Sequence, residues 1–265
     1  MKENYFVSPL LNMASFLKTR SKLVLAIIAV YLFFLVINLP ASVVLPAFKL
    51  PANVKVNGIS GTAWSGNIRN MYISGVKLGS VRWQLQPFYL ITGAIAGNVN
   101  IEKDQQHIKT WLKLSPSGKI ELEETRFKIN LSSLQPLIYG MPFSYAGMAS
   151  GHFPVSRIYK NNYVAMNGKL SLRNIEMLAP QRQVFGGLDI DFRAEKDGMT
   201  SGRIKDNGGQ LQISGNLTIH KDGVVRLSAK LAAQQKGSTL DNVVSFLGAR
   251  DVTGKIQLNN QFKLW

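Results

Sequence analysis

From Val54 onward, apolar side chains recur at every second position, a period that commits the chain to β-strands with one buried face. Val81, Trp83 and Leu85 form one such series, Ile95, Val99 and Ile101 a second, and Ile108, Leu112 and Leu114 a third. The second half repeats the pattern with Met166, Leu170 and Leu172, then Leu188, Ile190 and Phe192. Leu211, Ile213 and Leu217 follow, then Val225, Leu227 and Leu231. Between these runs stand Asp197-Gly198, Asn207-Gly208-Gly209 and Asp222-Gly223, which accept the positive φ angles of tight hairpin turns. Short turns between alternating segments predict an antiparallel meander. Its last strand is expected over 256–264, with Ile256, Leu258, Phe262 and Leu264 on one face and the terminal Trp265 against the sheet.

Glycine contributes 23 residues, and Gly97, Gly168, Gly187, Gly215 and Gly254 fall inside the alternating runs. A glycine within a strand marks a bulge, a bend or the close approach of another backbone, and long curved sheets use such kinks. The fold class read from this pattern is all-β: a curved, mostly antiparallel, glycine-rich sheet, shaped as a half-pipe or sandwich-like. Its apolar inner face has two readings, a core filled by its own side chains or a trough for lipid tails. One or two short helices complete it. Ser132 to Leu137 offers a serine cap and an early proline. Ser238 to Gly248 offers a cap at Ser238 or Thr239, a face of Leu240, Val243, Val244 and Leu247, and a glycine stop. Both are expected to close open ends of the sheet or cover an edge.

Ahead of the strands, Leu23 to Leu39 (LVLAIIAVYLFFLVINL) is uncharged, with Asn38 its one polar amide. At about 1.5 Å per residue it spans roughly 25 Å, enough for a bilayer core with slight thinning, and it shows no polar stripe. Lys18, Arg20 and Lys22 precede it and Lys49 is the first charge after it, which puts the N-terminus in the cytoplasm. A cleaved signal peptide shares the basic flank, but the run is longer than a signal core and lacks a clean small-x-small site, Pro40-Ala41-Ser42 being the nearest. The expected organisation is a cytoplasmic tail (1–22), a transmembrane anchor (23–39), an extended proline-bearing linker (40–53) and a periplasmic β-rich domain (54–265). Met13 opens a second plausible start, MASFLKTRSK, and is an alternative to Met1 as initiator.

The 265 residues carry a formal charge of +16, of which the first 22 hold +3, so about +13 falls on the exported part. That excess suits anionic partners: lipid head groups, lipopolysaccharide or acidic protein faces. Location disfavours nucleic acid, and scattered charges also suit a merely soluble surface. Cysteine is absent, which removes disulfides, thiol chemistry and cysteine metal sites.

No catalytic constellation emerges. His107, His152 and His220 lack partners at metal-ligand spacing. Glu121 with Glu123, and Asp189 with Asp191, stand two apart in strands and so share a solvent face, while Glu124 would point the other way if its strand continued. Nucleophile-elbow, phosphate-loop and dinucleotide patterns are missing, and Ser60 between Gly58 and Gly61 has the wrong spacing. The expectation is a protein that is not an enzyme, with no cofactor, metal or small-molecule substrate.

Two stretches carry a family resemblance. Gly61-Thr62-Ala63-Trp64-Ser65-Gly66 is followed fifteen residues on by Val81-Arg82-Trp83-Gln84-Leu85-Gln86-Pro87, then Leu90 and Gly93. Together these resemble the opening signature of type II secretion system protein N. The C-terminal end is similar too, with Asp222-Gly223 turning into the strand at Leu227, then Phe246-Leu247-Gly248 and Gly254. Gln234-Gln235-Lys236 departs from the pattern where relatives tend to have proline, as does the tail before Lys18. The resemblance implies a single-pass inner-membrane subunit of the general secretion pathway of Gram-negative cells. It further implies a non-enzymatic accessory role, with other inner-membrane and periplasmic secretion subunits, and the phospholipid bilayer, as partners. The rival reading is a membrane-anchored lipid-binding or lipid-transfer β-protein, with anionic lipid as partner.

Gly61, Thr62, Trp64, Gly66, Trp83, Leu85, Pro87 and Gly93 are the motif residues, and Leu23 and Leu39 bound the anchor. Physically the motif reads as structural: Trp64 and Trp83 are expected to pack together as core anchors at the start of the sheet, with Arg82 facing away.

Overall fold

Hairpin chemistry dictates the topology. In the computed structural model, which describes residues 10–47, 50–137, 144–159, 164–179, 181–196 and 198–263, thirteen strands form one antiparallel sheet in chain order. They are β1 (Val54–Gly61), β2 (Ser65–Ile73), β3 (Val76–Leu85), β4 (Ile95–Lys103), β5 (Gln106–Leu114), β6 (Ile120–Asn130) and β7 (Ser144–Ile158). Then come β8 (Val164–Ala179), β9 (Gln183–Ala194), β10 (Thr200–Asp206), β11 (Leu211–Ile219), β12 (Val224–Ala233) and β13 (Ile256–Lys263). The three turn sequences of the second half join β9 through β12, with Gly198, Gly208 and Gly223 at φ of 84°, 74° and 81°. Asp197, Leu264 and Trp265 lie outside the described residues, as do Lys49 and residues 1–9.

The sheet is single, not the two facing layers of a sandwich, and its curvature has a local cause. A Cβ on Gly97 would stand 2.6 Å from the Cα of Leu85, and one on Gly215 would stand 2.6 Å from the Cα of Ala229. Neighbouring backbones therefore lie closer over these positions than any side chain permits, and the sheet folds sharply toward its apolar face. Curling brings next-but-one strands into contact. Phe153 of β7, Phe192 of β9, Ile219 of β11 and Val225 of β12 form one buried cluster, with Phe127 stacked on Phe153 at 6.1 Å. A second cluster joins Leu231, Leu240, Val244 and Ile256. The inner face in this half is thus filled by the chain's own side chains.

The opposite face is polar, as the alternation requires. Asp191 meets Lys169 at 3.5 Å, Asp189 meets Arg173 at 3.6 Å, and Glu121 meets Lys119 at 2.8 Å. Glu124 departs from the simple alternation. It takes φ 47° in a bulge between β5 and β6, which turns it outward to His152 and Arg126, both at 3.1 Å, instead of toward the inner face.

Helices behave as their caps suggest. The helix expected near Ser238 is α3 (Thr239–Ser245), numbered after the two N-terminal helices, and the Ser238 side chain accepts the Asp241 amide at 3.1 Å. Leu240 and Val244 insert beneath it. The segment 131–137 forms a 3-10 helix, Leu131–Leu137.

At the N-terminus, α1 covers Leu10–Ile37, starting well before the apolar run, and Leu39 falls beyond its end. From Leu23 to Ile37 its large apolar side chains are exposed on every side. Among the described residues no helix is long and apolar enough to cross a membrane. The stretch read as an extended linker contains a helix, α2 (Ala41–Ala47). Proline is tolerated there because Pro40 precedes the first turn, accepting from Val43 at 3.1 Å, while Pro46 sits in the last turn. Ala41 is fully buried and α2 lies against edge strand β1.

Replacing Gly215 with valine forces apart β11 and β12, whose φ values need no glycine there, so the effect is purely steric. The expected cost is about 3 kcal/mol, or roughly a 6–12 °C drop in Tm by calorimetry, with alanine intermediate.

Candidate functional site at the junction of helix and sheet

The turn between β1 and β2 is tied by its own side chains. Gly61 takes φ 87°, the Thr62 amide donates to the Ser65 carbonyl at 2.8 Å, and the Ser65 amide donates to Thr62 Oγ1 at 3.1 Å. This turn grips the end of α1. Trp64 Nε1 donates to the Val36 carbonyl at 2.8 Å, and the Ala63 amide to the Leu39 carbonyl at 2.8 Å. The last carbonyls of a helix lack intrahelical partners, so the sheet supplies donors that the helix end needs.

Trp83 completes the junction from β3. Its ring lies across Gly66, where a Cβ would fall 2.7 Å from Cη2, and its Nε1 donates to the Ala63 carbonyl at 3.0 Å. The Leu85 amide then donates to the Trp64 carbonyl at 2.6 Å. Pro87 opens the 3-10 helix Pro87–Thr92, and Gly93, at φ 71°, closes it by donating to the Leu90 carbonyl at 2.9 Å. Gly61, Thr62, Trp64, Gly66, Trp83 and Leu85 thus converge on one end of the first three strands, while Pro87 and Gly93 bound the turn that follows β3, with Gly93 beside Pro116. The two tryptophans are not a stacked pair. Trp83 packs on the glycine of β2, while Trp64 spends its indole N–H on α1, and both remain half-buried rather than deep in a core. Arg82 does face away from Trp83, pairing with Glu102 on the polar face.

Beside the junction, the Tyr89 ring meets Trp111 edge-on at 5.9 Å, with Lys113 Nζ 5.5 Å from its centroid. Glu121 gathers Lys119 at 2.8 Å, Arg157 at 3.2 Å and Lys113 at 3.9 Å. The hydrogen bond from Lys119, with help from Arg157, holds its carboxyl below the usual carboxylate value. Three cations around one carboxylate leave this region positive.

A shallow hollow of about 410 Å³ on the polar face is lined by Asn67, Arg82, Gln84, Asn98 and Asn100. Among the described residues no group of three or more His, Asp or Glu is placed to hold a metal ion. His107, His152 and His220 lie on separate strands or turns, and Ser60 lies near Asn67, with its hydroxyl 3.4 Å from that backbone carbonyl. Sequence reasoning found the motif but missed Val36 and Leu39 as its partners, because a backbone carbonyl carries no side-chain signal.

Trp64→Phe keeps an aromatic six-membered ring but removes the pyrrole half with its donor, so it should cost about 1 kcal/mol or somewhat more and speed protease cleavage at the junction; Trp83→Ala should cost more, about 3 kcal/mol, and lower protein level. Glu121→Gln should lower Tm at neutral pH. Because the folded-state value is depressed, the carboxylate's contribution is present above its unfolded value and is lost as pH falls through the folded one. The Tm gap between the two proteins should therefore close as pH drops from about 5 toward 3.

Comparison with known proteins adds an independent line. The profile of the family described as Type II secretion system (T2SS), protein N matches residues 52–259. A Type II secretion system protein N from Vibrio cholerae serotype O1 is 23% identical over 240 residues, covering 86% of this chain and 92% of that protein. One from Aeromonas hydrophila is 39% identical over 62 residues, 23% of this chain and 25% of that protein. No solved structure matches. Since the family profile runs from just before β1 into β13 and takes in the whole junction motif, the chain belongs to the type II secretion system protein N family.

Proposed function

We propose that this chain is a non-enzymatic accessory subunit of the type II secretion system, anchored in the inner membrane by α1, with its N-terminus cytoplasmic and its sheet in the periplasm. The apolar part of α1, Leu23 to Ile37, spans roughly 22 Å, which a locally thinned bilayer accommodates, and the direct hydrogen bonding of its last turn to the sheet would hold the domain close to the membrane surface. The domain acts by binding other secretion subunits confined to the same plane, which raises their effective concentration.

The observation that carries the binding role is an open edge beside an apolar knuckle. Strand β13 ends the sheet with no strand on its outer side among the described residues. The connection leading into it exposes Phe246 at 90% and Val252 at 105%, at the strand ends opposite those tied to α1. An unpaired strand edge with neighbouring apolar side chains suits strand addition by a partner. The lipid-carrier reading is weaker in the β7–β13 half, where the inner-face clusters occupy the space that acyl chains would need.

A photo-crosslinking residue at position 246 or 252, in cells secreting through the pathway, should capture another secretion subunit, whereas one at Arg203 on the polar face should not. Equal capture from all three positions, or none at 246 and 252, contradicts this surface.

A further inference from the structure

The 3-10 helix Pro87–Thr92 is tied down by its own hydrogen bonds yet apolar on its outside. Phe88 is 82% exposed and Ile91 85%, with Leu90 beside them at 47%. Fraying does not explain this. Tyr89 is rooted against Trp111, the Thr92 hydroxyl donates to the Tyr89 carbonyl at 2.8 Å, and the Ala94 amide donates to the same carbonyl at 3.0 Å. An ordered turn that presents three large apolar side chains to water marks a binding surface.

Its place in the fold says what binds. Pro87 begins two residues beyond Leu85, whose amide is bonded to Trp64, and Trp64 in turn is bonded to the last turn of α1. The turn therefore stands beside the point where the apolar helix meets the domain. Behind it lie the amphipathic rings of Tyr89 and Trp111 and the cations Lys113, Lys119 and Arg157, opposed by the single carboxylate of Glu121. Apolar tips, an aromatic pair and partly exposed cations thus stand side by side, the set of chemistries that a bilayer boundary with anionic head groups accepts.

We propose that Pro87–Thr92 is a second membrane contact, in which Phe88, Leu90 and Ile91 enter the lipid interface next to α1 while Lys113 and its neighbours meet anionic head groups. The proposal rests on the reading of α1 as the anchor. Two contacts fix how α1 and the sheet, already joined, tilt together in the bilayer, which the junction alone leaves open.

The chain has no native cysteine, so single labels are clean. The full chain is reconstituted in phosphatidylethanolamine vesicles containing phosphatidylglycerol, with a polarity-sensitive probe at I91C, at I28C in α1, or at V252C as a surface control. Lipids doxyl-labelled near the head group should quench position 91 at least about three-fold more than position 252, and exchanging phosphatidylglycerol for phosphatidylcholine should reduce that quenching. Deeply labelled lipids should quench position 28. Quenching at 28 with none above control at 91 overturns the second contact and leaves the anchor standing; no quenching at 28 overturns the anchor reading itself. Quenching at 91 that ignores lipid charge overturns the part assigned to the cations.

Discussion

The close approach of strand backbones over positions without side chains is the constraint on which the rest of the structure depends. Thirteen strands laid side by side in chain order cannot bury their apolar face if the sheet stays flat. Folding the sheet over Gly97 and Gly215 lets that face meet itself. The cluster of Phe153, Phe192, Ile219 and Val225 exists only because strands that are not neighbours in the sheet come into reach. Where self-contact runs out, near β12 and β13, α3 supplies Leu240 and Val244 to cover what remains.

A second dependency links that sheet to α1. With no disulfide available, the connection is built from the Ala63 amide, one indole N–H and the carbonyls of Val36 and Leu39 at and just beyond the helix end. Tryptophan suits the position because it offers a broad apolar body and a single donor. The short run between helix and first strand is itself structured, since α2 packs on β1. Helix and sheet are thus oriented relative to one another, and that orientation is what the proposed membrane role uses.

The strand order was legible because period two, glycine turns and hairpin-length gaps all act locally. The sites of curvature were legible in part: Gly97 and Gly215 stood out inside alternating runs, although which backbone each would meet is a property of pairing. The helix Ala41–Ala47 was hidden by its prolines, Pro40 just before its first turn and Pro46 in its last, with none at its middle. For Glu124 the condition of an unbroken strand is not met, because a bulge is invisible to a strict two-residue period. The motif was visible, but its purpose was not. Trp64 looked like a core anchor from its size, whereas its partner is a carbonyl twenty-eight residues earlier in another element.

Membership in the type II secretion system protein N family, an open β-edge and an apolar helix gripped by the family motif fit one account, in which the fold holds a binding surface at a set position over a bilayer. Its central claim is that the sheet is locked to α1 and does not swing on a tether. Hydrogen exchange on the full chain in lipid nanodiscs, followed by NMR, tests this most directly, read at the Ala63 amide and the Trp64 indole N–H. The account predicts exchange as slow as that of amides within the β2–β3 ladder. Exchange at both sites as fast as in the exposed turn at Gly208 would contradict it.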